Sequence, residues 1–198
     1  MIKRMIFRLF FYLLGLLLLA LGVAFSVNSG LGVSPTNSLP YAVSAVSGVT
    51  MGACVTLVFC CYILLQILLL RRRFKPVNLL QIVFSSLFGV FVDFAKGLLG
   101  SFTLPGYAGR LGMLAASIFI VAVGLVFYLS AELIPMPMEG LALAVHQKLL
   151  AKMQFHQVKI VVDSLSVLSA LLVTLLGTGA VDGVREGTVI SALLIGKA

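Results

Sequence analysis

The residues of this chain best suited to holding a small solute fall in two short motifs. The first runs Leu31-Gly32-Val33-Ser34-Pro35-Thr36-Asn37 and the second Ile134-Pro135-Met136-Pro137-Met138-Glu139-Gly140. Each reads as a helix start. Ser34 is placed to cap the first, and Pro35 and Pro137 suit the first helical position, where the N–H that proline lacks has no partner in any case. Backbone N–H groups exposed at such a start favour an anion or a carbonyl group. Glu139 stands in the second motif where Asn37 stands in the first, and its carboxylate suits either a dipole-stabilised cap or a cation ligand. Ser34, Pro35, Asn37, Pro137 and Glu139 are therefore the candidate substrate-binding residues.

Lys159 and Asp163 form an i, i+4 pair inside an apolar stretch. Ionisable groups at membrane depth are costly and are functional candidates for that reason. Asp163, Lys159 and Glu139 are the candidates for coupling to an ion or proton. The structural alternative is an ion pair that only orients the bundle. Asp93, with Lys96 three residues on, reads as a pair of that structural kind. No Ser/His/Asp, His-cluster or Cys-pair constellation is present, so the expectation is a protein that is not an enzyme and carries no metal or cofactor. Cys54, Cys60 and Cys61 share one apolar segment and read as packing residues.

The two motifs belong to a longer internal repeat. Gly22, Phe25, Leu31, Pro35, Leu39, Ala42 and Val43 recur as Gly124, Phe127, Leu133, Pro137, Leu141, Ala144 and Val145, 102 residues on. Seven of 22 aligned positions agree, where so apolar a composition gives about two by chance. A short helix is expected after each proline, from Thr36 to Ser47 and from Pro137 to about Met153. The first is uncharged, so it is read either as re-entrant, packed across the bundle mouth, or as an amphipathic surface helix. The second has Leu141, Val145 and Leu149 in an apolar stripe beside His146, Lys148 and Lys152, the pattern of an interfacial helix with snorkelling lysines.

The elements that must position these motifs are membrane helices. Hydrophobic residues make up 61% of the chain and charged ones 10%, and the mean hydropathy is +1.19. So few charges cannot cover a water-soluble domain of 198 residues. No charged residue occurs from Leu9 to Leu70, far more than the roughly 20 residues that cross the hydrocarbon core. The apolar runs are continuous, which excludes a β-barrel pattern. Six segments are expected, near 5–27, 51–70, 77–99, 111–130, 158–176 and from Glu186 to the end. Residues 5–27 exceed a signal-peptide core and read as an uncleaved first helix. The expected architecture is all-α and polytopic, one transmembrane domain over 1–198 built as a 3+3 inverted repeat of about 5–99 and 111–198. Only 13 residues remain from Glu186, about 20 Å of helix, so the last segment of the second copy is expected to be cut short.

Basic residues orient the chain. Lys3, Arg4, Arg8, Arg71, Arg72, Arg73, Lys75, Lys148 and Lys152 fall on one side if the N-terminus is cytoplasmic, against Arg110 and Arg185 on the other. The Pro35 loop is then external and the Pro137 loop cytoplasmic. Attraction to lipid headgroups accounts for the net charge of +8, and a nucleic-acid partner is not expected. Small residues allow close helix packing: Gly22 and Gly124 are expected to mark where the first and fourth segments cross, and Ala20 and Ala24 give a partner helix a place to dock.

The Leu31-Gly32-Val33-Ser34-Pro35 motif with a later Gly52, the Val158-Lys159-Ile160-Val161-Val162-Asp163 run and the run from Gly187 to Gly196 resemble the YczE/YitT-type bacterial integral membrane proteins. The resemblance covers most of the chain and implies a six-helix protein of the bacterial inner membrane, with no substrate or cofactor attached. The leading expectation is a small permease, a secondary transporter for a neutral, zwitterionic or amphiphilic small-molecule solute. Its other partners are the lipid bilayer and a homodimer mate or partner membrane protein. The alternatives are a non-transporting scaffold or accessory protein, or the substrate-binding subunit of a vitamin-uptake complex.

Overall fold

The computed structural model describes residues 2–180 and 183–195, so the chain's last residues from Gly196, where the second copy was expected to be cut short, lie outside the described residues. Its elements in order are α1 (Ile2–Ser29), α2 (Pro35–Ser47), α3 (Met51–Leu70), α4 (Leu80–Leu99), α5 (Gly106–Ser130), α6 (Pro137–Lys148), α7 (Phe155–Thr178) and α8 (Glu186–Ile195). Two 3-10 turns, Arg71–Arg73 and Pro76–Leu79, join α3 to α4. Among the described residues, five helices, α1, α3, α4, α5 and α7, are long and apolar enough to cross a membrane. α8 is described for 10 residues and does not join them, one fewer than the six expected.

α1 and α5 form the central antiparallel pair. At one end the Arg8 guanidinium donates to the Ala131 and Glu132 carbonyls at 2.7 and 2.8 Å. Further along, Ser117 Oγ donates to the Gly22 carbonyl at 2.7 Å. At the other end Asn28 Nδ2 donates to the carbonyls of Gly100 and Phe102. Gly15, not Gly22, lies against Gly124: a Cβ on Gly15 would lie 2.6 Å from the Tyr128 N and 2.9 Å from the Gly124 carbonyl, while Gly22 packs on Val121 and Ser117. Only glycine lets these backbones meet, and small residues are how helices approach closely where lipid supplies no hydrophobic drive.

α3 and α4 meet at Gly52 and Gly89, where a side chain on either would strike the other's carbonyl. Asp93 does not pair with Lys96. Its carboxylate accepts from Thr50 Oγ1 and from the Gly52 N–H, both at 2.7 Å, and so caps α3 from the neighbouring helix. The remaining contacts exchange partners between the halves: α2 packs on α7 and α3, while α6 packs on α3 and α7. One apolar core draws Tyr12, Phe59, Phe88, Tyr128, Leu141 and Val162 from six helices. Leu68, Phe119 and Leu176 among many large apolar side chains stay exposed, as a bundle solvated by lipid requires.

Arg8 and the Arg71–Arg73 turn lie at one end. Arg8 marks it through the Ala131–Glu132 turn, and the Arg71–Arg73 turn follows the α3 end remote from the Asp93 cap. Arg185 lies at the opposite end, donating to the Gly30 carbonyl.

Candidate functional site

The chain reaches α2 through an irregular stretch sunk in the protein. Leu31 and Val33 are buried. Gly32 has φ 111°, and a Cβ there would lie 2.7 Å from Thr188 Oγ1 and 2.9 Å from the Arg185 N, so α8 begins against it. The Leu31 carbonyl accepts from the Gly187 N–H at 2.8 Å, and the Val33 N–H donates to Gly183 at 3.1 Å. Ser26 Oγ satisfies the Gly32 carbonyl at 2.8 Å. Such backbone is tolerated at membrane depth only when protein or enclosed water meets its polar groups.

Each proline-started helix is then pinned by a polar side chain from the other half. The Pro35 carbonyl accepts from Ser166 Oγ of α7 at 3.2 Å, and Ser166 in turn accepts from the Tyr62 hydroxyl at 3.0 Å. The Pro137 carbonyl accepts from Gln66 Nε2 of α3 at 2.9 Å, and Gln66 also donates to Gln81 Oε1 at 3.0 Å. α6 is no interfacial helix. Pro137, Met138, Gly140, Leu141, Ala142 and Ala144 are buried, it ends at Lys148, and it packs so close to α3 that a Cβ at Gly140 would lie 2.6 Å from Gln66. α2 likewise buries Pro35, Asn37, Ser38, Pro40 and Ala42, which removes the surface-helix alternative.

The polar ends differ from expectation in two ways. Ser34 occupies the capping position of α2, but its side chain makes no cap bond; its Oγ accepts from Asn37 Nδ2 at 3.1 Å. Neither helix start offers a row of free N–H groups. Pro35 and Pro137 have none, the Asn37 N–H turns back to the Ser34 carbonyl at 2.9 Å, and Glu139 Oε2 accepts from the Met136 N–H at 3.3 Å. Glu139 also accepts from the Tyr128 hydroxyl at 2.8 Å. Of its two sequence readings, the cap is the one its contacts describe.

A cavity of about 320 Å³ lies where the two starts converge. It brings together Ser34, Pro35 and Asn37, then Glu139, then Lys159 and Asp163; Pro137 stands just behind, in the wall of a smaller neighbouring void. Leu19, Val23, Phe88, Val121 and Leu125 give the cavity an apolar wall. α7 begins at Phe155, so Asp163 sits roughly 12 Å along it, about two turns in. Its Oδ2 holds Lys159 Nζ at 3.2 Å. Its Oδ1, and the Oδ1 of Asn37, are buried without any hydrogen-bond partner.

The sequence reading missed the pins. Gln66 carries the signal that would have found it, a single amide in the uninterrupted apolar run from Met51 to Leu70. Ser166 and Tyr128 carry none, since hydroxyls on membrane helices often bond only their own backbone. Ala20 and Ala24 are fully buried inside the bundle, so that small-residue face is already covered and does not dock a partner.

A bundle of apolar helices, two short buried helices and an internal cavity define a polytopic α-helical membrane protein. Over residues 6–198 the chain matches the family described as "Family of unknown function (DUF6198)", and it belongs to that family. It is similar to the "Uncharacterized membrane protein YczE" of Bacillus subtilis (strain 168), 28% identical over 147 residues, covering 74% of this chain and 66% of that protein. It is also similar to the "Uncharacterized protein YyaS" of the same organism, 25% identical over 136 residues, covering 68% of this chain and 66% of that protein. The chain thus spans just under two thirds of each relative's length. The resemblance to YczE-type membrane proteins is borne out. No solved structure matches the chain.

Proposed function

We propose that this protein is a small-molecule permease of the bacterial inner membrane and not an enzyme, built as an inverted repeat with a cytoplasmic N-terminus. The observation that carries the reading is the convergence of both proline-started helices and the Lys159–Asp163 pair on one internal cavity. Discontinuous helices that meet around a mid-membrane site are the usual binding architecture of secondary transporters. The antiparallel α1–α5 pair supports inversion, since the two motifs leave it from opposite ends. Basic residues at the Arg8 and Arg71–Arg73 end support the orientation. In this reading the solute sits between Asn37 and Glu139, and Asp163 with Lys159 couples its movement to an ion or proton.

The test is flux into proteoliposomes holding the purified protein, read for a panel of labelled neutral, zwitterionic and amphiphilic solutes with and without H⁺ or Na⁺ gradients. Saturable uptake of at least one solute, lost in Asp163→Asn and reduced in Pro35→Leu and Pro137→Leu, is expected. Protein-independent leak across the whole panel, or a flux that all three substitutions leave unchanged, sinks the reading.

A further inference from the structure

The cavity between α2, α6 and α7 is specific in what it leaves unsatisfied. Asn37 is only 6% exposed, and its amide is half used: Nδ2 donates to Ser34, while Oδ1 has no donor. Asp163 shows the same pattern, with Oδ2 on Lys159 and Oδ1 buried and bare. Both residues line the same cavity. A buried acceptor without a donor carries an uncompensated desolvation cost, so two on residues that line one cavity mark a place for hydrogen-bond donors.

Charge points the same way. The cavity's carboxylates are Glu139 and Asp163, its ammonium is Lys159, and its one imidazole, His156, is exposed and counted neutral. With both carboxylates ionised and the imidazole neutral, one negative charge is left over. An anionic occupant has little to bind, because the helix starts are already consumed: Glu139 is itself the anion at the start of α6, and the prolines withhold their donors. The rest of the wall, with Leu19, Val23, Phe88, Val121 and Leu125, is apolar.

We infer that Asn37 Oδ1 and Asp163 Oδ1 form a two-acceptor subsite for the ammonium head of an amphiphilic organic monocation, whose apolar body lies against the α1, α4 and α5 wall. This rests on the permease reading for its purpose but not for its chemistry. A primary ammonium brings three donors and one positive charge, which satisfies both oxygens and neutralises the site. Asp163 then holds Lys159 on one oxygen and the solute on the other, so occupancy of the site acts directly on that ion pair.

The experiment is calorimetric binding to the full-length protein in a neutral detergent, using n-hexylammonium, 1-hexanol and hexanoate as probes of one chain length. Saturable binding of hexylammonium is expected, with hexanol about tenfold or more weaker, the loss of one charge-assisted hydrogen bond, and hexanoate without binding. Asp163→Asn and Asn37→Leu each weaken the amine by about tenfold and leave hexanol unchanged; Asn37→Asp, which keeps the oxygen and adds charge, tightens it. The variants also separate protein binding from partition into detergent. Equal or tighter binding of hexanoate or hexanol overturns the proposal. So does amine binding indifferent to all three substitutions, or saturable binding of Na⁺ with none of the amine. Amine binding without flux of any solute retires the permease reading and leaves the subsite standing. Flux of another solute with no amine binding does the reverse.

Discussion

Asn37 and Glu139 occupy the same place in two short proline-started helices, and the bundle treats them in opposite ways. Around Glu139 the polar groups close on one another: the carboxylate accepts from Met136 N–H and Tyr128 Oη, and Gln66 ties the Pro137 carbonyl to α3. Around Asn37 they do not. Ser166 holds the Pro35 carbonyl, but the Asn37 oxygen is buried beside the cavity with no donor. One start is thus a finished joint and the other an unfinished one. The same backbone device has been spent on anchoring in α6 and left open in α2.

That contrast can be broken by stability measurements on the solubilised protein. The largest effect is expected from Gln66→Leu, which strands the Pro137 carbonyl and Gln81 in the interior and lowers stability by about 2–3 kcal/mol. Denaturant unfolding of parent and variant in the same detergent reads it. Glu139→Leu comes next, at about 1–2 kcal/mol, because the Tyr128 hydroxyl loses its acceptor at 2.8 Å and the Met136 N–H is left with Tyr128 Oη alone. A double-mutant cycle with Tyr128→Phe should show a coupling of about 0.5–1 kcal/mol; strict additivity would mean the two side chains do not act as a unit. Ser166→Ala, removing the bond to the Pro35 carbonyl and the acceptor of the Tyr62 hydroxyl, is expected to cost about 1 kcal/mol.

Asn37→Leu is the sharpest of the set, because its expected effect is near zero or slightly stabilising. The oxygen it removes is already unpaired, which offsets the lost bond to Ser34. A melting temperature that falls as far as that of Glu139→Leu would erase the difference between the two starts.

Much of the architecture was legible before the fold was known. α3 spans Met51–Leu70 as the apolar run predicts, and α2 begins at Pro35, a residue from the expected start. These features follow from local chemistry: the length of an apolar run, the fixed φ of proline, a block of arginines. Asp93 shows where such reading stops. Lys96 is its neighbour in sequence, yet its partners are Thr50 and Gly52, more than 40 residues away by their separations of 43 and 41. A neighbour along a helix is visible in the sequence, whereas a helix end brought alongside is not.

The sequence by itself determined that this is a helical membrane protein with two matching proline-started segments, because membrane insertion and helix initiation depend on composition and on a few adjacent residues. Only the tertiary structure decided which of those segments is closed and which is open. Ser166 meets Pro35 across 131 residues and Gln66 meets Pro137 across 71. Whether a buried oxygen finds a donor depends on which remote helix face comes to rest against it, and that is fixed only when the whole bundle packs.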